Sequence, residues 1–395
     1  MARYNKREYE ERSEINIISH VIMKVFDGHL HTFRFKVPMR ESIGLFQRQF
    51  ERFHVEKMTF LALPCDACPG RVEFDQTDLM DNIRAMYFKS VFSPKGYAYA
   101  GLEYKDLDTK DKEAVAQDLL RQVKEYKKVG YDGMKMYEGH PNHRKLLGYP
   151  LYDEIFDPYF DWCEKENFPI LMHLANPAEF WDETKVSDYW KARGCYFDET
   201  YPSFNELHEE ILKRLEKNPK LNFSLAHWGF LTWNNQAAEK FMSFENTKLD
   251  ICPGGDNFFR ILNDKEFWIP FIEKYAYRIT YGTDSYNFEY DNEENWLRAT
   301  GLRPLLSQQF FMDGEYDYIG RAYTGIGLKE ELRHKIFYEN LNDMLGEPNA
   351  IDFDYFIAKC EVLLETVDPE SLDRYNLWCM KHDFTSMKNG TFVLK

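Results

Sequence analysis

Four histidines and one aspartate stand where short apolar runs of the sequence end. His29 and His31 follow the first run with one residue between them, and alternate residues of an extended segment point to the same face. Two imidazoles on one face could meet a single metal ion. A lone histidine in such a place is more often a structural hydrogen-bonding group, but His173, His227 and Asp284 end later runs in the same way. The joint pattern therefore predicts a metal site.

The elements that must position these side chains alternate in character along the chain. Eight short apolar or β-rich runs recur, and segments with a 3.6-residue apolar period separate most of them. The runs are Met23–Phe26, Lys57–Leu63, Tyr97–Leu102, Gly133–Tyr137, Pro169–Leu174, Asn222–Ala226, Lys248–Cys252 and Arg278–Tyr281. Such alternation predicts parallel strands joined by right-handed crossovers.

Eight strand–helix units can close into a barrel or lie in an open doubly wound sheet, and the strand count alone does not separate the two. No Gly-x-Gly-x-x-Gly motif follows the first run, so a dinucleotide-binding sheet has no support. We predict the α/β class, with a (β/α)8 TIM barrel over residues 20–347, an N-terminal extension over 1–19 and a helical C-terminal appendage over 348–395. In such a barrel the strand ends with the predicted metal site lie on one rim.

The ordered set of motifs resembles the amidohydrolase superfamily, and within it the amidohydrolase-2 branch of lactonases, small-acid hydrolases and non-oxidative decarboxylases. The resemblance covers roughly residues 20–347. It rests on the segments Asp27–His31, Gly133–Met136, His173, Ala226-His227 and Tyr281–Asp284, and on the closing helical segment Ile336–Gly346. It implies a metal-dependent enzyme on a (β/α)8 barrel.

By this resemblance, the metal ligands are His29, His31, His173 and Asp284. Three imidazoles and a carboxylate suit Zn²⁺, with Mn²⁺, Fe²⁺ and Ni²⁺ as alternatives, and one ion is favoured over two. The chemistry implied is activation of a water molecule. Asp284 would take up the proton of that water, and His227 would orient the water or polarise a substrate carbonyl.

Lys135 is open between two roles. It ends the fourth run, where several members of the superfamily keep a carboxylated lysine that bridges two metal ions. A carboxylated Lys135 would make the site binuclear, with His227 on the second ion. An unmodified ammonium would instead hold a substrate carboxylate or a developing negative charge. The unmodified lysine is favoured because the branch is mostly mononuclear.

Loops on the same rim supply the candidates for substrate binding, which are Tyr137, Arg144, Trp228, Arg260 and Tyr286. An arginine can clamp a carboxylate with two hydrogen bonds, and aromatic walls suit a ring or a sugar. Each of these residues is also a common packing or surface residue. Cys65 and Cys68 form one C-x-x-C pair after the second run, which without further ligands predicts neither a zinc site nor a redox function.

The overall composition argues against two classes of partner. The 395 residues include 66 acidic and 50 basic ones, a formal charge of −16, whereas nucleic acids and anionic membrane surfaces attract clustered Lys and Arg. The charged N-terminus has no signal-like apolar segment, no window approaches a membrane span, and the seven scattered cysteines predict no disulfide framework. We expect a cytoplasmic protein that acts on a small molecule, and a homodimer is compatible with such a barrel.

The leading hypothesis is a metal-dependent hydrolase that attacks a C–O or C–N bond, in a lactone, ester or amide of a small carboxylated or cyclic substrate. One alternative is a non-oxidative decarboxylase of an aromatic or dienoic acid, which would use the same residues. Another is a barrel that binds metal or a ligand without catalysis, which is disfavoured because all the expected catalytic positions are filled.

Overall fold

The computed structural model describes residues 23–32, 38–64, 80–104, 107–252, 257–285, 301, 303–318 and 320–394. The strands of the main sheet are β1 (Val25–His31), β2 (Val55–Leu61), β3 (Gly96–Gly101), β4 (Gly133–Gly139), β5 (Ile170–Leu174), β6 (Phe223–Leu225), β7 (Thr247–Asp250) and β8 (Ile279–Thr280). They are parallel and lie side by side in sequence order. The segment after β8 returns to β1 through a bridge between Leu30 and Ser285. The sheet is therefore a nearly closed (β/α)8 barrel, as predicted.

Helices surround the barrel and connect its strands. The α-helices are Met39–Arg52, Asp81–Val91, Lys112–Val129, Pro141–Leu147, Asp157–Lys165, Asp188–Lys191, Phe204–Lys217, Asn235–Met242, Asn257–Asn263, Lys265–Tyr275, Glu330–His334, Asn340–Leu345, Phe353–Thr366 and Leu372–Lys388. Shorter helical turns are Glu154–Phe156, Ala178–Trp181, Ala226–Trp233, Ala276–Arg278 and the π-helical Lys335–Glu339. None of the described helices is long and apolar enough to cross a lipid bilayer.

The helix Lys112–Val129 illustrates how local chemistry sets these bounds. Asp111 caps its first turn, because the carboxylate accepts a hydrogen bond from Ala114 N. Gly130 ends it in the left-handed conformation, φ 113°, which a residue without a side chain adopts at little cost. Its apolar residues recur every three or four positions and are buried against the barrel.

The first strand is longer than the apolar run predicts. The run ends at Phe26, but β1 continues to His31. Its backbone stays paired on both sides, since His31 pairs with Leu61 of β2 and its N–H donates to Ser285 O at 3.0 Å. Pairing in space therefore overrides the polar residues that end the apolar run, and both histidines lie on a strand and not in a loop.

The barrel interior is filled in layers. Phe26, Tyr97 and Leu341 pack together near the amino ends of the strands. The next cluster is Leu61, Tyr99, Leu171, Ala226 and Cys252. A larger apolar cluster packs the helices against the outside of the strands. The polar side chains of interest lie beyond the inner layers, at the carboxyl ends of the strands.

Two further features flank the barrel. An antiparallel hairpin of β9 (Glu315–Tyr318) and β10 (Arg321–Thr324), which the sequence patterns did not predict, precedes the final barrel helices. The two C-terminal helices Phe353–Thr366 and Leu372–Lys388 confirm the helical appendage. Asp383 anchors the second of them by accepting a hydrogen bond from Tyr87 at 2.7 Å. The domain bounds remain a prediction, and residues 1–19 lie outside the described residues.

Candidate metal centre

The candidate metal centre lies inside the barrel at the carboxyl ends of the strands. His29 and His31 are alternate residues of β1, and both are buried. Asp284 follows β8 and has a left-handed backbone conformation, φ 52°. Residues other than glycine keep such a conformation only where surrounding contacts hold it. Closure of the barrel therefore brings together side chains from its first strand and from the segment after its last strand.

These three side chains direct their ligand atoms to one point. His29 Nε2 lies 3.1 Å from His31 Nε2. Asp284 Oδ1 lies 3.6 Å from His29 Nε2 and 3.4 Å from His31 Nε2. The three residues form a group whose ligand atoms all lie within 4.8 Å of one another, a spacing that suits one bound ion.

The hydrogen bond at Nδ1 of each imidazole favours the tautomer in which Nε2 can bind a cation. His29 Nδ1 lies 2.5 Å from Asp250 Oδ2, and His31 Nδ1 lies 3.3 Å from Leu61 O. Both partners accept, so each neutral ring carries its proton on Nδ1 and presents a lone pair at Nε2. Burial lowers the pKa of both histidines and favours this neutral form. Two lone pairs that face each other repel, and a divalent ion between them removes that repulsion.

Asp250 and Cys252 belong to the centre although the sequence patterns did not identify them. Asp250 is buried at the end of β7, where it accepts from His29 Nδ1 through one oxygen and from Cys252 N at 3.1 Å through the other. The signal that could have identified them is the spacing of two polar residues, i and i+2, at a strand end, because such residues share the inner face.

His173, the fourth predicted ligand, stands beside His227, with ring centroids 5.0 Å apart. It is not a member of the group of three described above. Its Nε2 is buried and has no hydrogen-bond partner among the described residues. A buried polar atom of this kind calls for an explanation. Binding of an ion or a substrate by His173 Nε2 would explain it.

His227 begins a strained turn. His227, Trp228, Gly229 and Phe230 all have φ between 53° and 58°, a left-handed run that costs about 1–2 kcal/mol for each non-glycine residue. Asn257 holds the turn by donating from Nδ2 to His227 O at 2.9 Å. Cys252 Sγ contacts His227 Nδ1 at 3.1 Å. The turn therefore aims the His227 ring into the barrel, 5.3 Å from the ring of His29.

Lys135 reaches the centre from β4. Its side chain is buried, and Nζ lies 3.3 Å from His29 Nε2. No carboxylate among the described residues forms an ion pair with it. Burial lowers its pKa, because a charged ammonium is poorly solvated inside the barrel.

Asp284 is held by a residue that the sequence patterns missed. Arg303 Nη1 donates to Asp284 Oδ2 at 2.9 Å and also to the Asp284 carbonyl oxygen. Burial by itself raises the pKa of Asp284, but Arg303 and the neighbouring histidines outweigh it and hold that pKa well below its usual range. Arg303 lies 19 residues after Asp284 and outside every predicted motif, so no local pattern pointed to it.

Asp27 ties the segment after β8 to β1. Its carboxylate accepts from Thr283 Oγ1 at 2.6 Å and from Thr283 N and His29 N, each at 3.1 Å. Burial raises the pKa of Asp27 to about 7 in spite of these bonds. Asp27 therefore positions the backbone on both sides of the candidate metal centre.

Tyr137 is the predicted substrate residue that the barrel brings beside the histidines. Its ring stacks on His140 with centroids 4.7 Å apart, and lies 5.0 Å from the ring of His173. Together these rings form an aromatic side of the centre.

The two predicted arginines are each engaged with a carboxylate of the protein. Arg144 donates through Nε and Nη2 to the buried Glu210, at 2.9 to 3.1 Å. Arg260 pairs with Glu179 at 3.3 Å and lies over the Trp233 ring, 4.2 Å from its centroid. Their roles toward a substrate remain predictions.

The remaining predicted substrate residues are Trp228 and Tyr286. Trp228 is fully buried, and its ring lies 6.2 Å from that of Trp268. Tyr286 lies outside the described residues, as do Cys65 and Cys68.

Comparison with known proteins identifies a family. The family model described as Amidohydrolase, of the amidohydrolase-2 type, matches residues 103–346, more than half of the chain. No curated protein matches the sequence.

Solved structures of low similarity accompany that match. A 2,6-dihydroxybenzoate decarboxylase from Rhizobium is 16% identical, with 82% of this chain and 98% of that chain covered and a TM-score of 0.42. A 4-oxalomesaconate hydratase from Rhodopseudomonas palustris is 12% identical, with 87% and 98% covered and a TM-score of 0.47. An amidohydrolase 2 from Bifidobacterium longum subsp. infantis is 10% identical, with 82% and 99% covered and a TM-score of 0.42. Similarity this low carries no conclusion about the reaction.

The family match extends over β4 to β8, the helices between them and the closing barrel helices. The chain therefore belongs to the amidohydrolase-2 family, a branch of the amidohydrolase superfamily of metal-dependent enzymes.

Proposed function

We propose that the chain is a metal-dependent hydrolase that cleaves a C–O or C–N bond, in a lactone, ester or amide of a small carboxylated or cyclic substrate. The observation that carries the proposal is the convergence of His29, His31 and Asp284 within 4.8 Å. We assign the fourth ligand to His173, whose Nε2 has no other described partner. The donor set suits one Zn²⁺, with Mn²⁺, Fe²⁺ or Ni²⁺ as alternatives.

The metal and Asp284 would have different chemical roles. A divalent ion in this site supplies Lewis-acid chemistry, by polarising a carbonyl and acidifying water. Asp284, which Arg303 keeps ionised, would accept a proton from the attacking water and return it to the leaving group. A non-oxidative decarboxylase would use the same metal, His227 and Asp284, so the products formed must separate the two reactions.

Lys135 suggests the substrate class. A buried ammonium without a carboxylate partner is rare in proteins, and a carboxylate of the substrate would complete it. Lys135 would bind the substrate carboxylate, and His227 would hold the substrate carbonyl. Tyr137 would form one wall of the pocket, and Trp228, Arg144, Arg260 and Tyr286 stay proposed as substrate residues. The homodimeric state and the cytoplasmic location remain predictions.

The test combines a substrate panel with two variants. Metal-replete protein is assayed on lactones, esters, amides and aromatic acids, with CO₂ release measured for the acids. We expect hydrolysis by the wild type, and for Asp284→Asn a loss of about 10²-fold or more, where about 10²-fold is the lower end of a general acid–base contribution. Full activity of Asp284→Asn would refute the role of Asp284. CO₂ release without hydrolysis would establish the decarboxylase, and no turnover on any substrate would favour a non-catalytic barrel.

Metal content distinguishes the two states of Lys135. One equivalent per chain in both the wild type and Lys135→Ala is expected, as measured by elemental mass spectrometry. Two equivalents in the wild type that fall in Lys135→Ala would instead indicate a carboxylated lysine that bridges two ions.

A further inference from the structure

Cys252 places a sulfur ligand within reach of the metal centre. The residue is fully buried just after β7. Its Sγ lies 3.1 Å from His227 Nδ1 and 3.3 Å from His227 N. Cys252, His227 and His29 form a second group whose ligand atoms all lie within 4.8 Å of one another. This group offers two nitrogens and one sulfur, whereas the group of His29, His31 and Asp284 offers two nitrogens and one oxygen.

The two groups share His29, so they cannot both bind a metal ion at the same time. Asp250 Oδ2 occupies the Nδ1 side of the ring at 2.5 Å. The remaining Nε2 has one lone pair, so it can serve one ion at a time. His31 Nε2 and Asp284 Oδ1 lie 3.1 Å and 3.6 Å from that nitrogen, and His227 and Cys252 form the other group with His29.

We propose that the barrel has a second metal position, formed by His29, His227 and Cys252, which takes a soft, thiophilic divalent ion and excludes an ion from the position of His29, His31 and Asp284. Both groups contain two imidazoles, and they differ in that a thiolate selects soft ions whereas a carboxylate suits harder ones such as Mn²⁺. Binding at the second position transfers the thiol proton to solvent. The chain would therefore bind Cd²⁺ and Mn²⁺ in competition but through different ligands.

The probe is Cd²⁺ alone, added to metal-free protein in which Cys65→Ser and Cys68→Ser remove the C-x-x-C sequence motif, which could itself bind Cd²⁺. The thiolate-to-cadmium charge-transfer absorbance reports sulfur coordination without any assay of catalysis. Cys252→Ser and Asp284→Asn are added separately to this background, and each variant is checked for native circular dichroism and cooperative thermal unfolding. Mn²⁺ binding is measured in parallel by electron paramagnetic resonance.

We expect the band in the background protein and in Asp284→Asn, and we expect Cys252→Ser to lose both the band and much of its Cd²⁺ affinity, because a thiolate is the ligand that favours this soft ion. Mn²⁺ should bind Cys252→Ser normally, bind Asp284→Asn more weakly, and displace Cd²⁺ from the background protein. A band that survives Cys252→Ser, or that is absent from folded Asp284→Asn, would overturn the proposal. Simultaneous binding of both ions would overturn the exclusion. These results do not depend on whether the enzyme is a hydrolase.

Discussion

Two buried lysines at opposite ends of the barrel have different surroundings. Lys89 lies near the amino ends of the strands, where its Nζ donates to both carboxylate oxygens of Asp132 at 3.0 and 2.8 Å, and to the carbonyl oxygens of Gly130 and Asn349. Lys135 lies only three residues beyond Asp132, on β4, and among the described residues its Nζ contacts His29 Nε2 and forms no ion pair.

The difference distinguishes a lysine that stabilises the fold from a lysine that we place in the functional site. At the amino ends a buried charge is neutralised and all its hydrogen bonds are made, as a stable interior requires. At the carboxyl ends three features come together: a lysine and a histidine nitrogen that have no ion-pair or hydrogen-bond partner, respectively, among the described residues, and a left-handed turn. Such features persist only where the rest of the fold stabilises them, and they cluster at sites of chemistry.

The largest effect should come from breaking the paired lysine. Lys89→Met leaves Asp132 buried without its cation, so the free energy of unfolding should fall by about 3–5 kcal/mol. Urea unfolding followed by circular dichroism measures it. A loss below about 1 kcal/mol, the range of an exposed ion pair, would show that Lys89 and Asp132 do not form the structural pair described here.

Metal should stabilise the other end of the barrel. After treatment with a chelator, a divalent ion at about 100 times its dissociation constant should raise the free energy of unfolding by about 2.7 kcal/mol. Lys89→Met should gain the same increment, because its change is remote from the centre, while His31→Ala should gain much less. An equal gain in His31→Ala would contradict the proposed ligand set.

The hydrogen bond between Asp250 and His29 should contribute less free energy than the bound ion does. Asp250→Asn keeps the shape but removes the charged acceptor of His29 Nδ1, so metal affinity should fall about 10–100-fold, or about 1.4–2.7 kcal/mol. Isothermal titration measures it. Asp182→Asn is the matched control, because this half-buried aspartate accepts hydrogen bonds from Thr184 and pairs with Lys185. Unchanged affinity in Asp250→Asn would show that Asp250 does not position His29.

The smallest effect on stability should come from the unpaired lysine. Lys135→Met makes the same chemical change as Lys89→Met, but it leaves no buried carboxylate without a partner. The free energy of unfolding should change by less than about 1.5 kcal/mol, the range of a volume-conserving core substitution, while KM for a carboxylated substrate rises. A loss as large as that of Lys89→Met would mean that the two lysines do not differ as described.

The sequence alone determined the scaffold and the place of the chemistry. Alternation of apolar runs with helical periods predicted eight parallel strands, and all eight are present. The i and i+2 spacing of His29 and His31 is a local property of an extended chain, so their shared face follows from the residues themselves. The position of Asp284 after the last run likewise places it at a strand end without any knowledge of its neighbours.

Only the tertiary structure decided which side chains meet. Asp250 contacts His29 across 221 positions of the chain, and Arg303 reaches Asp284 from a helical segment outside every motif. The same is true of Arg144, whose guanidinium is bonded to Glu210. The left-handed turn at His227 depends on Asn257, which follows a different strand. Periodicity reports which face a residue occupies, but partners across the barrel are chosen by closure of the sheet, and that information is distributed over the whole chain.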